Sequence, residues 1–434
     1  DILSDGSTVV AERVSFAPQP QSAMTIIDQH TGYVKAIIGG RGTKTASLTL
    51  NRATDSTRQP GSTFKIVSTY APALNEKGMT LATTYEDEPI TYENGAPVNN
   101  AGGNYNGTTT IRTAIRNSVN TVAVQCFEDV TPELGLKYLD NFGFTTLAHG
   151  TDADTDANGN VYTDANLPTA LGGLTYGVKN VELCAAYAAI ANGGNYIKPV
   201  YYTKILDHNG NVLIENNSAG RSVIKETTAY LLTSALEDVV QNGTGTACQL
   251  DNMAVAGKTG TTDKYNDLWF VGYTPYYTCA VWSGYDGNQK IPEGDARNFH
   301  KTLWRKVMSR IHQGMEYKEF EQPAGIEQIS VCSETGLLPR AGCPVIEEYF
   351  DVATIPTDYC DQHFYDYDED ENGDDQEMEI YEEESLTPTP DPENPDAPEN
   401  PDGNGGEEQT PDEGGDGGDG GDSGNNNDDI YYYE

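Results

Sequence analysis

Two spacings of apolar residues divide this 434-residue chain into strand-like and helix-like stretches. Met24 to Ile38 reads as a strand hairpin turning through Asp28-Gln-His-Thr-Gly32. After Arg58-Gln-Pro-Gly61, the apolar positions Ile66, Val67, Tyr70, Ala71, Ala73 and Leu74 fall on one helical face, which puts Ser62 at a helix start. Val181 to Asn192 reads as an Ala-rich helix, and Thr227 to Val240 and Phe299 to His312 carry the same helical period. Three apolar runs, Met253 to Thr262, Leu268 to Tyr273 and Tyr277 to Trp282, are separated by polar or proline-containing turns and predict consecutive antiparallel strands.

Three short strings sit on this pattern in fixed order: Ser62-Thr-Phe-Lys65, Ser118-Val-Asn120 and Lys258-Thr-Gly-Thr261. Residues three apart share a helical face, so Lys65 is within reach of Ser62, and a serine hydroxyl becomes a nucleophile when a neighbour takes its proton. The free N–H groups and positive dipole end of a helix start favour developing negative charge. Lysine serves as the base once burial or a nearby cation lowers its pKa, and Lys258 is a candidate for that cation. On the third string, Gly260 permits close approach of another backbone or a ligand. The Thr259 and Thr261 hydroxyls with the Lys258 ammonium suit a peptide ending in a carboxylate.

Context separates these strings from decoys. Ser222-Val-Ile-Lys225 repeats the first spacing and Ser423-Gly-Asn425 the second, without the flanks. Gly257-Lys258-Thr259 is the ending of a phosphate-binding loop, but Asn252 stands where that loop needs its first glycine and no helical pattern follows. There is no GxSxG elbow and no HExxH, and none of the six histidines lies near Ser62 in sequence.

The strings and their flanks, Gly39-Gly40, Asn51-Arg-Ala-Thr54, Arg58 to Lys65, Leu171-Gly-Gly-Leu-Thr-Tyr-Gly177 and Asp267 to Pro275, resemble the transpeptidase domain of class A penicillin-binding proteins over roughly residues 20 to 363. The resemblance implies an α/β (α+β) fold: an antiparallel sheet of about five strands, helices on both faces, and a helical subdomain with the active site between them. It implies Ser62 as acylated nucleophile, Lys65 as general base, Ser118 as proton relay to the leaving amine and Asn120 as holder of a substrate amide. Lys258, Thr259 and Thr261, with Gly260 among them, would bind the substrate carboxylate. The Ser62 and Thr261 N–H groups would form the oxyanion hole, on the order of 10²-fold or more per donor in related acyl chemistry. The implied reaction cross-links peptidoglycan stem peptides outside the cytoplasmic membrane, is blocked by beta-lactam antibiotics, and uses no cofactor and no metal at the site. A D,D-carboxypeptidase or a non-turnover beta-lactam sensor or wall-binding module would keep the same strings. A class A beta-lactamase would add a deacylating Glu that the sequence does not identify.

Members of that class begin with a membrane helix and a glycosyltransferase domain. No run of eighteen apolar residues occurs here, and Asp1-Ile-Leu-Ser-Asp-Gly6 reads as neither signal peptide nor anchor, so a fragment is expected, with any membrane tether or wall-synthesis partner engaged through missing regions. The expected division is a linker remnant at 1–22, the transpeptidase domain at 23–320, a Cys-containing extension at 321–363, and a disordered acidic Pro/Gly-rich tail at 364–434.

Charge sharpens that last boundary. Residues 364 to 434 hold 27 Asp and Glu and no Lys or Arg, so −27 of the formal −41 lies there and −14 on the rest. Such a segment repels itself and has too little apolar surface to fold. The same acidity excludes nucleic acid and anionic surfaces as partners and leaves cation binding, or spacing from anionic wall polymers, as the tail's reading. Of seven cysteines, Cys126, Cys184, Cys248 and Cys279 read as small core residues. Cys332, Cys343 and Cys360 cluster with His363, where an extracellular compartment favours a disulfide over zinc. Asp368 to Glu379 matches the calcium-loop string formally within an acidic run. Asp154 to Ala165 lacks the bidentate Glu and reads as an Asn-Gly hairpin loop ahead of a weak calcium site.

Overall fold

The computed structural model describes residues 19–363 apart from 45, 217 and 218. The Asp368 calcium string, the Ser423 decoy, the acidic tail and most of the linker remnant lie outside the described residues.

Five strands build the principal sheet: β1 (Gln21–Asp28), β2 (Tyr33–Ile38), β3 (Ala256–Thr261), β4 (Asp267–Tyr273) and β5 (Thr278–Gly284), in the order β3-β4-β5-β1-β2, all antiparallel. Every residue of β4 and β5 is buried, because both faces of the sheet are covered. Side-chain alternation sorts the contacts. Ala280 and Trp282 join one core with Ala23, Ile27 and Trp269, while Cys279 and Val281 join a second core with Met24, Ile26 and Phe270.

The helices fall into place around those two cores. Through Trp304 and Met308, Phe299–Ile311 fills the second core, and the Trp304 indole donates to the Cys279 carbonyl at 3.0 Å. On the opposite face, Asn180–Ala191 is buried almost throughout, and its Asn180 amide bonds both Thr25 and the Ala280 carbonyl. Beside it, Glu226–Asn242 packs along β3. The helical subdomain contributes Ile111–Asn117, Asn120–Val130 and Pro132–Asn141. Each helix and strand predicted from periodicity is present, with boundaries shifted by no more than three residues. No described helix is long and apolar enough to cross a membrane.

A second antiparallel hairpin, β6 (Ile326–Cys332) with β7 (Val345–Asp351), leans on the Glu226–Asn242 helix through Tyr230 against Tyr349 and through the Thr227 hydroxyl donating to Asp351 at 2.6 Å. All seven cysteines are free thiols, so the disulfide favoured by compartment is not formed. Cys126, Cys184, Cys248 and Cys279 are buried in the two cores as expected.

Candidate active site

Ser62 lies in the 3₁₀ turn Gly61–Thr63, which runs on through Lys65 into a π-helical segment, Ile66–Tyr70, and then Ala71–Glu76. The sequence predicted a plain helix. The wider π turn is a feature that recurs at functional sites. Two contacts fix the turn: Tyr187 donates to the Thr63 carbonyl at 2.6 Å, and the Trp269 indole donates to the Gln59 carbonyl at 2.9 Å. Gly61 has φ of +54°, and a Cβ there would sit 2.8 Å from the Thr261 carbonyl oxygen. A Cβ on Gly260 would sit 2.5 Å from the Pro60 carbonyl oxygen. The glycines therefore let β3 and the Ser62 turn approach backbone to backbone.

The second string is delivered by a strained cap. Ser118 ends the Ile111–Asn117 helix in the left-handed conformation, φ 58° and ψ 41°, with its N–H on the Ala114 and Ile115 carbonyls. A non-glycine residue there costs about 1–2 kcal/mol. That turn aims the Ser118 and Val119 carbonyls at Lys65. The Lys65 ammonium donates to Ser118 O at 2.8 Å, Val119 O at 3.0 Å and Asn120 Oδ1 at 2.6 Å, with Ser118 Oγ at 3.4 Å. Periodicity pointed Lys65 at Ser62; its hydrogen bonds run to the second string instead, because buried carbonyls satisfy a buried amine.

Lys65 and Lys258 are both fully buried, and neither has an ion-pair partner among the described residues. Burial first, and then the Lys258 cation, hold the Lys65 amine well below the usual lysine value. Burial brings Lys258 down to about 7, with its ammonium 3.3 Å from the Thr259 carbonyl.

The cleft has two lobes of about 480 and 470 Å³, and Ser62, Asn120, Thr261, Thr262 and Asp263 line both. Ser118 and Thr259 line the first. All three strings thus meet at one cleft, while the decoy Ser222 lies in a short strand and Lys225 is extended backbone with ψ of 154°. After β3 comes a strand and not a long helix, which removes the phosphate-loop reading.

Sequence reasoning missed several residues. The Thr244 hydroxyl bonds that of Thr259 at 2.7 Å. Asn100 Oδ1 accepts from the Asn120 N–H at 2.8 Å and Asn99 O from the Asn120 amide at 2.6 Å, so these two residues seat the second string. Arg297, His300 and Lys301 form another wall of the first lobe. His300 is buried with Nδ1 unpartnered, and burial, then Lys301, push it down to about 3. None belongs to a motif, and no local pattern in the sequence marks them.

The Asp154 loop behaves as a hairpin. Asp154 accepts from the His149 and Thr151 N–H groups and the Thr151 hydroxyl, and Asp156 from Asn158, Asn160 and Tyr162, so both carboxylates are satisfied within the loop.

With this arrangement of a serine turn, a buried lysine pair and a β-strand edge, the chain belongs to the penicillin-binding protein transpeptidase domain family, whose description it matches over residues 22–308. Residues 322–365 match the description "Penicillin-binding protein 1A, C-terminal domain". Among curated relatives, Penicillin-binding protein 1A of Clostridium tetani is 36% identical over 362 residues, covering 80% of this chain and 45% of that protein. Penicillin-binding protein 1A/1B of Bacillus subtilis is 30% identical, covering 82% and 39%. The chain thus spans less than half the length of these relatives. Of solved structures, Penicillin-Binding Protein 1A from Haemophilus influenzae superposes with a TM-score of 0.66 at 24% identity, covering 78% of this chain and 54% of that one. PonA1 from Mycobacterium tuberculosis, in complex with penicillin V, gives 0.61 at 26%, covering 71% and 82%.

Proposed function

We propose that this chain is a peptidoglycan D,D-transpeptidase acting through a serine acyl-enzyme on the outer side of the cytoplasmic membrane. The observation that carries the reading is the pair of buried lysines without a carboxylate: Lys65 is held toward its neutral form one turn from Ser62, facing Ser118. A neutral Lys65 keeps two N–H bonds for the Ser118, Val119 and Asn120 oxygens and frees a lone pair for a proton.

In this mechanism Ser62 Oγ attacks the carbonyl carbon between the two terminal D-alanines of a stem peptide as its proton passes to Lys65. The N–H groups of Ser62 and Thr261 hold the oxyanion, and Ser118 passes the proton to the leaving amine as the C–N bond breaks. An amine of a neighbouring stem then attacks the ester carbonyl, gives up its proton along the same route, and restores Ser62. Lys258 with Thr259 and Thr261, beside Gly260, binds the terminal carboxylate. Asn120 orients the donor amide with its remaining N–H. Beta-lactams enter by the first step and stay as the ester, as the penicillin V complex of PonA1 suggests by likeness. We assign residues 23–320 to this domain and 321–363 to its extension.

The test is fluorescent penicillin labelling followed by mass spectrometry of the Ser62 peptide. Labelling is expected to vanish in Ser62→Ala; labelling equal to the unsubstituted chain sinks the assignment. Incubating penicillin-free enzyme with stem peptides and an amine acceptor is expected to give the cross-linked product, whereas hydrolysis alone means a carboxypeptidase.

A further inference from the structure

The C-terminal extension holds a second chemical site remote from the cleft in sequence. We propose that Cys332, Cys343, Cys360 and His363 form a closed, tetrahedral zinc site that staples the β6–β7 hairpin to the strand of chain that follows it.

Three separate segments deliver the four donors: Cys332 ends β6, Cys343 stands in the loop before β7, and Cys360 and His363 lie on the return of the chain. Their ligand atoms all lie within 4.8 Å of one another. His363 Nδ1 is 3.6 Å from Cys332 Sγ and 3.2 Å from Cys360 Sγ. Tetrahedral zinc with ordinary Zn–S and Zn–N bonds spaces its ligands at about 3.6 Å (S to N) and about 3.8 Å (S to S), so no pair of donors need close by more than about an ångström.

Backbone pairing holds that spacing. The Cys332 N–H bonds the Leu337 carbonyl at 2.8 Å and the Cys360 N–H bonds the Leu338 carbonyl at 2.8 Å. Thus the turn after β6 carries two of the ligands on adjacent rungs. The Arg340 N–H donates to Cys343 Sγ at 3.2 Å, which holds that sulfur in place.

The surroundings are those of a ligand set. His363 turns Nδ1 to the sulfurs and sets Nε2 3.3 Å from Glu334 Oε2. A carboxylate on the far nitrogen fixes the proton there and leaves the near nitrogen free to bind a metal. Cys332 and Cys360 are fully buried, and Cys343 and His363 half-buried, so the cage has no open position. A disulfide would consume two sulfurs and leave the third thiol and the oriented imidazole without a task. Three soft sulfurs and one imidazole in this geometry select zinc among common divalent ions. A staple also answers a need, since the hairpin's own core is only Ala82, Val331 and Phe350 with a few partly buried neighbours.

The test uses the 434-residue chain, reduced, stripped of metal and titrated with Co(II) and then Zn(II). Expected are tetrahedral cobalt d–d bands with a thiolate charge-transfer band, displaced by one zinc per chain. Cys343→Ser, at the half-exposed ligand, is expected to lose those bands while Ser62 still takes fluorescent penicillin, which shows that the fold survives. Glu334→Gln is expected to keep the bands and weaken zinc by about 10- to 100-fold, the usual effect of removing such a support. No tetrahedral cobalt spectrum, or one unchanged in Cys343→Ser, overturns the site. So does a non-reduced chain, purified as expressed, whose mass and peptide map place two of these cysteines in a disulfide.

Discussion

Arg112 and Glu348 meet in a two-pronged pair, Nε to Oε2 and Nη2 to Oε1 both at 2.6 Å, with Glu348 almost wholly buried. The pair joins the C-terminal hairpin to the helix that ends in Ser118, and Arg112 also bonds the Ser234 hydroxyl at 3.0 Å. Breaking a buried pair from one side leaves an uncompensated charge, at a cost of about 3–5 kcal/mol. Glu348→Ala is therefore expected to lose that much in urea unfolding, and the Arg112→Met, Glu348→Met double variant less than either single change. Equal additive losses in the double-mutant cycle would refute the coupling.

As the proposed base, Lys65 has to shed its proton. A guanidinium stays charged, so Lys65→Arg is expected to fold and still lose penicillin acylation by about 10²- to 10⁴-fold, the range of general-base catalysis. Stopped-flow acylation measures it; a loss below tenfold would assign the base elsewhere.

Two depressed lysines also set a pH dependence. Lys258 has a folded pKa of about 7 against 10.5 when exposed, and burial, then the Lys258 cation, holds Lys65 well below its usual value. Between those values the unfolded chain binds more protons than the folded one, so stability rises with pH. Below about 7 the folded protein carries the full cost of the buried Lys258 charge. Lys258→Met is expected to raise Tm at neutral pH, with the gap to the unsubstituted chain closing as pH climbs toward 10.5, and to abolish carboxylate-dependent acylation. A gap that widens with pH contradicts the assignment.

Gly260→Ala forces a methyl against Pro60 and Thr63, at 2.5 and 2.8 Å. The Ser62 turn should shift away from β3, pulling the Ser62 and Thr261 N–H groups apart. The expected result is a fall in the acylation rate of about 10²-fold or more, as for loss of an oxyanion donor, out of proportion to any change in Tm. Acylation at the unsubstituted rate would show that the two N–H groups do not act together.

The three strings and the strands around them were legible because local rules generate them: apolar runs bounded by polar or proline-containing turns for β3 to β5, and a Pro-Gly entry for the Ser62 turn. Lys65's partners were not, since the Ser118 cap that supplies them depends on a left-handed serine that no propensity favours. Thr244, Asn99 and His300 reach the cleft only by tertiary packing. The cysteine cluster was legible as a group, but its bonding was read from the compartment, while the fold turns a histidine toward the sulfurs and sets a carboxylate on its far nitrogen.

The sheet treats its two edges differently. At β2, Val200 closes the rim by bonding Val34 and Gly32. At β3 no second strand pairs among the described residues, and the rim is sunk behind the Ser62 turn and the Glu226–Asn242 helix. An open rim normally invites sheet-to-sheet aggregation, so natural proteins hide it. Here the Ser62 turn and the Glu226–Asn242 helix screen the free rim of β3 from a neighbouring sheet, while the cleft opens beside it.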